Sequence, residues 1–540
     1  MFDHALDVSN PSKNFAAIEA VLSVGEITLS SSDISKLKAR FKVQLSAQNS
    51  QQSAVAKANL VNDTRALNAG DVFCAVIGSL RDGREYVEQA ISANCAMILQ
   101  ETTEQSAHGQ LTWLEQVSGA QVPVLSYFQL NDNLFNVAKA FYAEPQKALN
   151  IIGITGTNGK TSTSQIIANL LDYCQKNCAV IGTNGAGKLA QLQTIENTTP
   201  GATELHQLLA LFIEQNITDV AMEVSSHALA QKRVSARLFN TAVFTNLSRD
   251  HLDYHQTMSA YAAAKQEIFT GDNKQVAVIN GDDKQAQNWL EHWPKAQKVV
   301  VYGRGKHIAD YARFAQALNV EHHANGVSFQ LITEQGECEI HSQLLGDFNV
   351  ENLLAAIAVL MVENIALTTI AQAITQLMPI IGRMEAFSSA GKPTTVVDYA
   401  HTPDALASAL DACRLHCHGK LWLVFGCGGD RDVGKRALMA KVAESKADRM
   451  IITNDNPRSE DPETIAADII AGLGKTTNFE KILDRETAIL SALTQAAADD
   501  VVLCAGKGHE DYIIFGNEKR HYDERAVVKA FYLAKKEVTV

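Results

Sequence analysis

GITGTNGKTSTSQIIANLL, from Gly153 to Leu171, sets an apolar strand, a glycine-bearing turn and an amphipathic helix in direct succession. That order builds a phosphate site. Glycines let backbone N–H groups approach phosphate oxygens, and the helix N-terminus adds partial positive charge. Lys160 can reach the β/γ oxygens, and the Thr161 hydroxyl can ligate magnesium. The loop is a variant, because the usual pattern has glycine five residues before Gly159, where this chain has Ile154; its other glycines are Gly153 and Gly156.

On both sides of this segment, strand-like runs alternate with helical stretches. LNIIGITG is followed by CAVIGT, DVAMEV, TAVFTNL and QVAVIN, then by TTVVDYA, LWLVFG, RMIITND and VVLCAG. Such alternation predicts βαβ units and mostly parallel sheets, whose ligands gather at the carboxyl ends of the strands. Before residue 130 the pattern is mixed, with a loop expected over 47–59 and a short strand at 96–100. A chain of 540 residues exceeds the roughly 250–300 that one hydrophobic core serves, so we expect an α/β protein of three domains, 1–129, 130–381 and 382–540.

Composition narrows the function. A formal net charge of −13 argues against a general nucleic-acid or membrane-surface binder, which needs a basic footprint. The first residues, MFDHALDVSN, lack the basic and apolar character of a signal peptide, and no stretch reaches ~18 uninterrupted apolar residues. A cytoplasmic protein is expected. Nine cysteines without a C-x-x-C pair fit reduced thiols, and CRLHCHG (413–419) lacks the second half of a zinc site.

Further chemistry-bearing groups follow later strands. DVAMEVSSH offers Glu223, Ser225, Ser226 and His227, and TNLSRDHLDYH offers Asp250, His251 and Asp253. Magnesium and a γ-phosphoryl group need such oxygen and nitrogen donors near a phosphate loop. Lys265 in YAAAKQEIF, read from the residues alone, is a helix-surface charge.

Taken together, GTNGKTS (156–162), ENTTPG (196–201), MEVSSHALAQKR (222–233), NLSRDHLDYH (246–255), YAAAKQEIF (261–269), GDFNVEN (346–352), GRME (382–385), DYAHTPDAL (398–406), GCGGDRDVGKR (426–436), DNPR (455–458) and GKGHE (506–510) resemble the Mur ligase family over essentially the whole chain. The resemblance is greatest to members that add meso-2,6-diaminopimelate to UDP-N-acetylmuramoyl-L-alanyl-D-glutamate in peptidoglycan synthesis. It implies a small α/β UDP-binding domain, a central P-loop ATPase-like domain with a mostly parallel sheet, and a C-terminal Rossmann-like domain for the incoming amino acid. ATP and Mg²⁺ are the implied cofactors, the two named substrates the implied partners, and a monomer the expected state.

Carried over by position, the resemblance gives Gly156, Thr157, Asn158, Gly159, Lys160, Thr161 and Ser162 to the ATP phosphates. Thr161 and Glu223 would hold one magnesium and His251 a second, with Lys265 as a carbamylated lysine. Carbamylation turns an ammonium of ordinary pKa ~10.4 into an anion with oxygen ligands, which suits a metal site where a plain lysine repels. Asn352 would approach the adenine, and Arg383 and Asp398 the nucleotide. Asn197, Thr198, Thr199, Ser225, Gln231 and Arg233 would contact the muramoyl dipeptide. Arg431, Asp455, Asn456, Pro457, Arg458, Gly506 and Glu510 would form the amino-acid pocket. There an arginine fork at Arg458 pairs with the distal carboxylate of diaminopimelate and repels the ammonium of lysine. The first domain departs most from the family. Asn62-Asp63-Thr64-Arg65 replaces Leu-Asp-Ser-Arg, and Ser79-Leu80-Arg81 stands where relatives have His-Gln-Ala. Uridine contacts are expected at Asn62, Thr64, Ser79, Leu80 and Arg81.

Three other readings compete. LWLVFGCGGDRD (421–432) resembles a dinucleotide turn, but Arg431 stands where the third glycine belongs. A phosphate-loop switch would hydrolyse ATP without an amine acceptor. A folylpolyglutamate synthetase-like ligase would share the loop but is not expected to have DNPR.

Overall fold

The computed structural model describes residues 11–48, 58–78, 81–115, 119–272, 274–323, 326–377, 380–474 and 478–533. Three sheets with covering helices make up an α/β architecture. The central sheet has ten strands. From one edge they run Gly336–Ser342, Gly326–Thr333, Phe314–His323, Lys298–Gly303, Val276–Asn280, Thr241–Phe244, Asn150–Thr155, Asp219–Glu223, Cys178–Gly182 and Gly185–Gly187. From Phe314–His323 through Cys178–Gly182 the pairing is parallel, and the strands beyond are antiparallel.

Strand Asn150–Thr155 sits deep in this sheet because its side chains are apolar on both faces. Ile152 and Ile154 join a core with helices Lys160–Tyr173 and Asp347–Val362, while Ile151 joins a second core on the opposite face. A parallel strand buried on both faces reads as a continuous apolar run, as this one does. The antiparallel strands spanning 326–342 were not among the expected runs; in Gly336–Ser342 the polar Glu337, Glu339 and His341 are exposed, which weakens the apolar signal.

The C-terminal sheet runs Glu385–Phe387, Thr394–Asp398, Val501–Ala505, Leu421–Phe425, Arg449–Ile452 and Phe479–Lys481, parallel except for its first strand. The N-terminal sheet has five strands, from Leu60–Val61 at one edge to the antiparallel Leu111–Glu115 at the other. Helix Leu130–Phe141 buries Leu134, Val137 and Phe141 in the N-terminal core. The loop expected over 47–59 is corrected at its start, since helix Ser31–Gln48 runs into it; residues 49–57 lie outside the described residues. Among the described residues no helix is long and apolar enough to cross a membrane.

Arg485 and Glu524 form an ion pair inside the C-terminal body, both side chains 0% exposed, with Arg485 also donating to Asn454 O and Ala505 O. Removing one partner strands a charge. Arg485→Met is expected to destabilise this body by about 3–5 kcal/mol, read as a lower denaturant midpoint, and adding Glu524→Leu should return most of the loss.

Candidate active site

The phosphate turn leaves the central strand at Thr155 and enters helix Lys160–Tyr173 through Gly159, whose φ of 85° is left-handed. Asn352, buried on helix Asp347–Val362, lies directly beneath, and a Cβ at position 159 would run into its Oδ1. Thr163 Oγ1 donates to that oxygen at 3.2 Å, and Asn352 Nδ2 donates to Asn349 Oδ1 at 2.9 Å. The Asn352 side chain therefore braces the turn from below. Lys160 Nζ donates to Gly156 O and Thr157 O, both at 2.9 Å, so the ammonium lies over the loop. Burial lowers its proton affinity, against the pull of Glu223.

Glu223 ends strand Asp219–Glu223 two strands from the open edge and is 1% exposed. Its Oε2 accepts from Thr161 Oγ1 at 3.0 Å and Thr183 Oγ1 at 3.2 Å, and its Oε1 accepts from Thr183 N at 2.9 Å. Burial lifts its carboxyl above the ordinary range, while the Lys160 ammonium opposes that rise. The carboxylate occupies the space where a Cβ at Gly182 would stand. Two oxygen donors, Thr161 Oγ1 and Glu223 Oε2, thus lie side by side at the mouth of the phosphate turn. This donor set fits a hard, oxygen-seeking cation.

Lys265 is not the surface charge its local sequence describes. The side chain is 1% exposed, its Nζ donates to Gly156 O at 2.7 Å, and the nitrogen lies 4.5 Å from the Tyr261 ring centre. Burial, and then the nearby Lys160 ammonium, push its proton affinity well below that of an ordinary lysine. Tyr261 and Thr157, linked by hydroxyls 3.2 Å apart, help close this wall. His251 caps a short helix with a left-handed φ of 53°, its side chain 44% exposed, 3.4 Å from Asp250 Oδ2 and packed edge-on to His227.

Of these groups, Thr157, Lys160, Thr161, Thr183, Glu223, His227 and His251 border a cleft of about 880 Å³, whereas Lys265, Tyr261 and Asn352 stand behind its lining. Thr157 to Ser162 form one wall; Asn197, Thr198, Thr199, Ser225, Gln231 and Arg233 form the other, with Asn62, His227 and Arg383 at its ends. The second wall is stitched together by its own hydrogen bonds. Ser225 N donates to Thr199 Oγ1 at 2.9 Å, Thr199 Oγ1 donates to Glu223 O at 3.0 Å, and Arg233 Nη1 donates to Thr199 O at 2.7 Å. Thr203 Oγ1 donates to Asn62 Oδ1 at 3.0 Å, tying the N-terminal body to the cleft. Thr64 donates to Gln89, and Arg81 stands near Asp63; Ser79 and Leu80 lie outside the described residues.

Arg383 stacks over the Tyr399 ring at 5.0 Å, and its Nε is buried without a hydrogen-bond partner within the protein. Asp398 accepts from Met384 N and Ala400 N, each at 2.8 Å, fixing the segment that bears Arg383.

A second cluster forms at the carboxyl ends of the C-terminal strands, apart from the cleft. Arg458 has a left-handed φ of 53° and donates from Nη1 to Gly429 O at 2.8 Å. A Cβ on Gly428 would stand 2.9 Å from Arg458 Nη1 and 3.7 Å from Arg431 Cγ, so both arginines flank that glycine. Buried Arg436 clamps Glu460, whose Oε1 accepts from Asp430 N, and Asp430 accepts from Ser459. This network holds the two arginine loops together. Beside them lie Asp455, Asn456 and Pro457; Arg458 Nη1 also donates to Asn456 O at 3.5 Å, Asn456 Nδ2 donates to Glu510 Oε2 at 3.0 Å, and Gly506 stands against Asp455. Sequence reasoning missed Thr183, Tyr261 and Lys507. A threonine after CAVIG, and a lysine inside GKGHE, were the available signals.

His416 of the CRLHCHG segment accepts from Gly346 N at 3.0 Å and meets His323 O through its other ring nitrogen. Both ring nitrogens are thereby engaged by backbone, in a joint between the central and C-terminal bodies.

Comparison with known proteins agrees with this geometry. A solved structure of UDP-N-acetylmuramoyl-L-alanyl-D-glutamate–2,6-diaminopimelate ligase is 34% identical, matching 91% of this chain and 98% of that one with a TM-score of 0.64. This chain belongs to the Mur ligase family. The family's middle domain matches residues 154–360, and its glutamate ligase domain matches residues 382–508. The fold is shared more distantly with UDP-N-acetylmuramoylalanyl-D-glutamyl-2,6-diaminopimelate–D-alanyl-D-alanyl ligase from Acinetobacter baumannii, at 17% identity, 85% and 92% coverage of the two chains and a TM-score of 0.59. It is also shared with folylpolyglutamate synthase of Mycobacterium tuberculosis, at 17% identity, 75% and 96% coverage and a TM-score of 0.54. As a Mur ligase this protein is an ATP-dependent amide ligase, and the dehydrogenase and switch readings of its glycine turns fall away.

Proposed function

We propose that this Mur ligase joins meso-2,6-diaminopimelate to UDP-N-acetylmuramoyl-L-alanyl-D-glutamate, using ATP, to give the UDP-linked tripeptide, ADP and phosphate. The observation that supports this choice of amino acid is that Arg458 and Arg431 flank Gly428 while Asn456, which accepts from Arg458 through its backbone oxygen, donates to the Glu510 carboxylate, so both kinds of charge gather at the same strand ends. Diaminopimelate ends in a centre with both a carboxylate and an ammonium. A guanidinium pair and a carboxylate match that centre; lysine supplies only the ammonium. A folylpolyglutamate ligase has no need of the pair.

In this reading the turn from Gly156 to Ser162 cradles the ATP phosphates, Lys160 neutralises charge on the γ-phosphoryl group, and Arg383 and Asp398 meet the nucleotide at the domain junction. Asn352 supports the turn and approaches the adenine from beneath. Asn197, Thr198, Thr199, Ser225, Gln231 and Arg233 hold the muramoyl dipeptide so that its D-glutamate γ-carboxylate faces the phosphoryl group. Asn62, Thr64, Ser79, Leu80 and Arg81, within residues 1–129, receive the uridine end. A carboxylate oxygen attacks the γ-phosphorus, the bond to the ADP oxygen breaks, and an acyl phosphate forms. The amine then attacks the acyl carbon, inorganic phosphate leaves with the bonding pair, and the nitrogen loses a proton.

Magnesium, held by Thr161 and Glu223 with a second ion at His251 and carbamylated Lys265, would screen the negative charge that the three reactants concentrate. The support for carbamylation is chemical. A dry amine beside another cation is disfavoured as ammonium, and the neutral amine is the form that adds carbon dioxide.

Phosphate release from ATP with the UDP-dipeptide tests the reading directly. Diaminopimelate should support turnover and lysine should not; equal rates would remove the role given to Arg458. Arg458→Met is expected to lower kcat/KM for diaminopimelate by about 100-fold or more, because it leaves a carboxylate unpaired in a partly buried pocket.

A further inference from the structure

Lys507 has no role in the reaction as set out above, yet it is buried among the groups assigned to the amino acid. It is 0% exposed. Its Nζ donates to Asn456 Oδ1 and to Glu510 Oε2, each at 2.9 Å, lies 3.9 Å from Asp455 Oδ1, and sits 5.3 Å from the centre of the Tyr512 ring. Two of its three donors are thus hydrogen-bonded within the protein, and the ammonium is shielded from water.

These bonds fix what the neighbouring side chains can offer. The backbone N–H of Ile514 donates to the same Asn456 oxygen at 2.9 Å, which settles that the amide oxygen faces Lys507 and Ile514 and the amide nitrogen faces Glu510. Glu510 Oε2 then accepts from both Lys507 and Asn456, while Oε1 accepts from the Tyr399 hydroxyl at 3.4 Å. Burial by itself would lift the Glu510 carboxyl, but the adjacent ammonium and these two hydrogen bonds bring it below the ordinary carboxylate range. The ion pair also offsets one of the two carboxylates, Asp455 and Glu510, that would otherwise repel each other in a dry cup.

We propose that Lys507 is the positioning residue for the amino-acid substrate: it locks the Asn456 amide in one orientation and presents Glu510 Oε1 to the ligand's ammonium. The inference rests on the assignment of Asn456 and Glu510 to that substrate. It differs from a purely structural ion pair, which would affect stability without selecting one substrate's binding.

Steady-state KM values for diaminopimelate, ATP and the UDP-dipeptide, measured on the full chain, decide it. In Lys507→Met the KM for diaminopimelate should rise by about 30-fold or more, while those for ATP and the UDP-dipeptide stay within about twofold. The variant pair Glu510→Gln/Lys507→Met removes both charges together and should fold even if the single variant is weakened. Its KM for diaminopimelate should lie within about threefold of Glu510→Gln alone, because the lysine acts through a group already altered. An unchanged KM in Lys507→Met, equal rises for all three substrates, or multiplied losses in the pair would overturn the proposal. If the parent protein turns over lysine and not diaminopimelate, the substrate assignment fails; the same comparison run with lysine then decides on Lys507, since either amino acid brings an ammonium.

Discussion

Lys160→Ala is expected to abolish ligation, lowering phosphate release by at least about 10³-fold, while the protein remains folded. The loss follows from where the ammonium sits. It lies over the phosphate turn, fastened to Gly156 O and Thr157 O, while Lys265 is committed to the Gly156 carbonyl and Arg383 is held over the Tyr399 ring. A triphosphate bound without that charge keeps its full repulsion toward an incoming carboxylate. The fold should survive because the ammonium is held against burial, so the two hydrogen bonds lost are set against a desolvation cost removed. Stopped assays of phosphate release, with thermal unfolding as a control, check both halves. Residual ligation above a few per cent would contradict the assignment.

Lys265→Ala should be nearly as damaging, by about 10²–10³-fold, for a different reason. A plain lysine at this position would put a second cation beside Lys160 in a dry wall, and the structure already disfavours the protonated amine there. Activity of the parent protein is therefore expected to fall after exhaustive removal of carbon dioxide and to return on adding bicarbonate. Isotopically labelled bicarbonate should give a carbamate carbon resonance that Lys265→Ala lacks. Lys265→Ala retaining parent activity, or no dependence on carbon dioxide, would leave the lysine as a structural prop of the Gly156 carbonyl.

Which parts of this site could be read from the chain depends on how local their causes are. The phosphate turn was legible because strand, glycine turn, Lys160, Thr161 and helix are contiguous, and each is needed for the same geometry. The parallel sheet was legible too, since strands covered on both faces have to be apolar at every position. Lys265 was not. Its own helix, MSAYAAAKQ, has it as a single charge near the C-terminal end, and only the folded arrangement brings its ammonium to Gly156 O of the phosphate turn. Lys507 escaped for the same reason: a lysine between two glycines reads as a loop charge until Asn456, from another strand end, closes over it. The antiparallel edge strand Gly336–Ser342 was hidden because it is mostly polar, with Glu337, Glu339 and His341 exposed.

One glycine at the end of a central-sheet strand, Gly182, has a lasting effect on what this enzyme can become. Where Gly182 passes Glu223, even a methyl group would collide with the carboxylate. Lineages of this protein can thus rework their pockets while this position stays shut to them, guarded by the Glu223 carboxylate's need for room rather than by the fit of the hydrophobic interior.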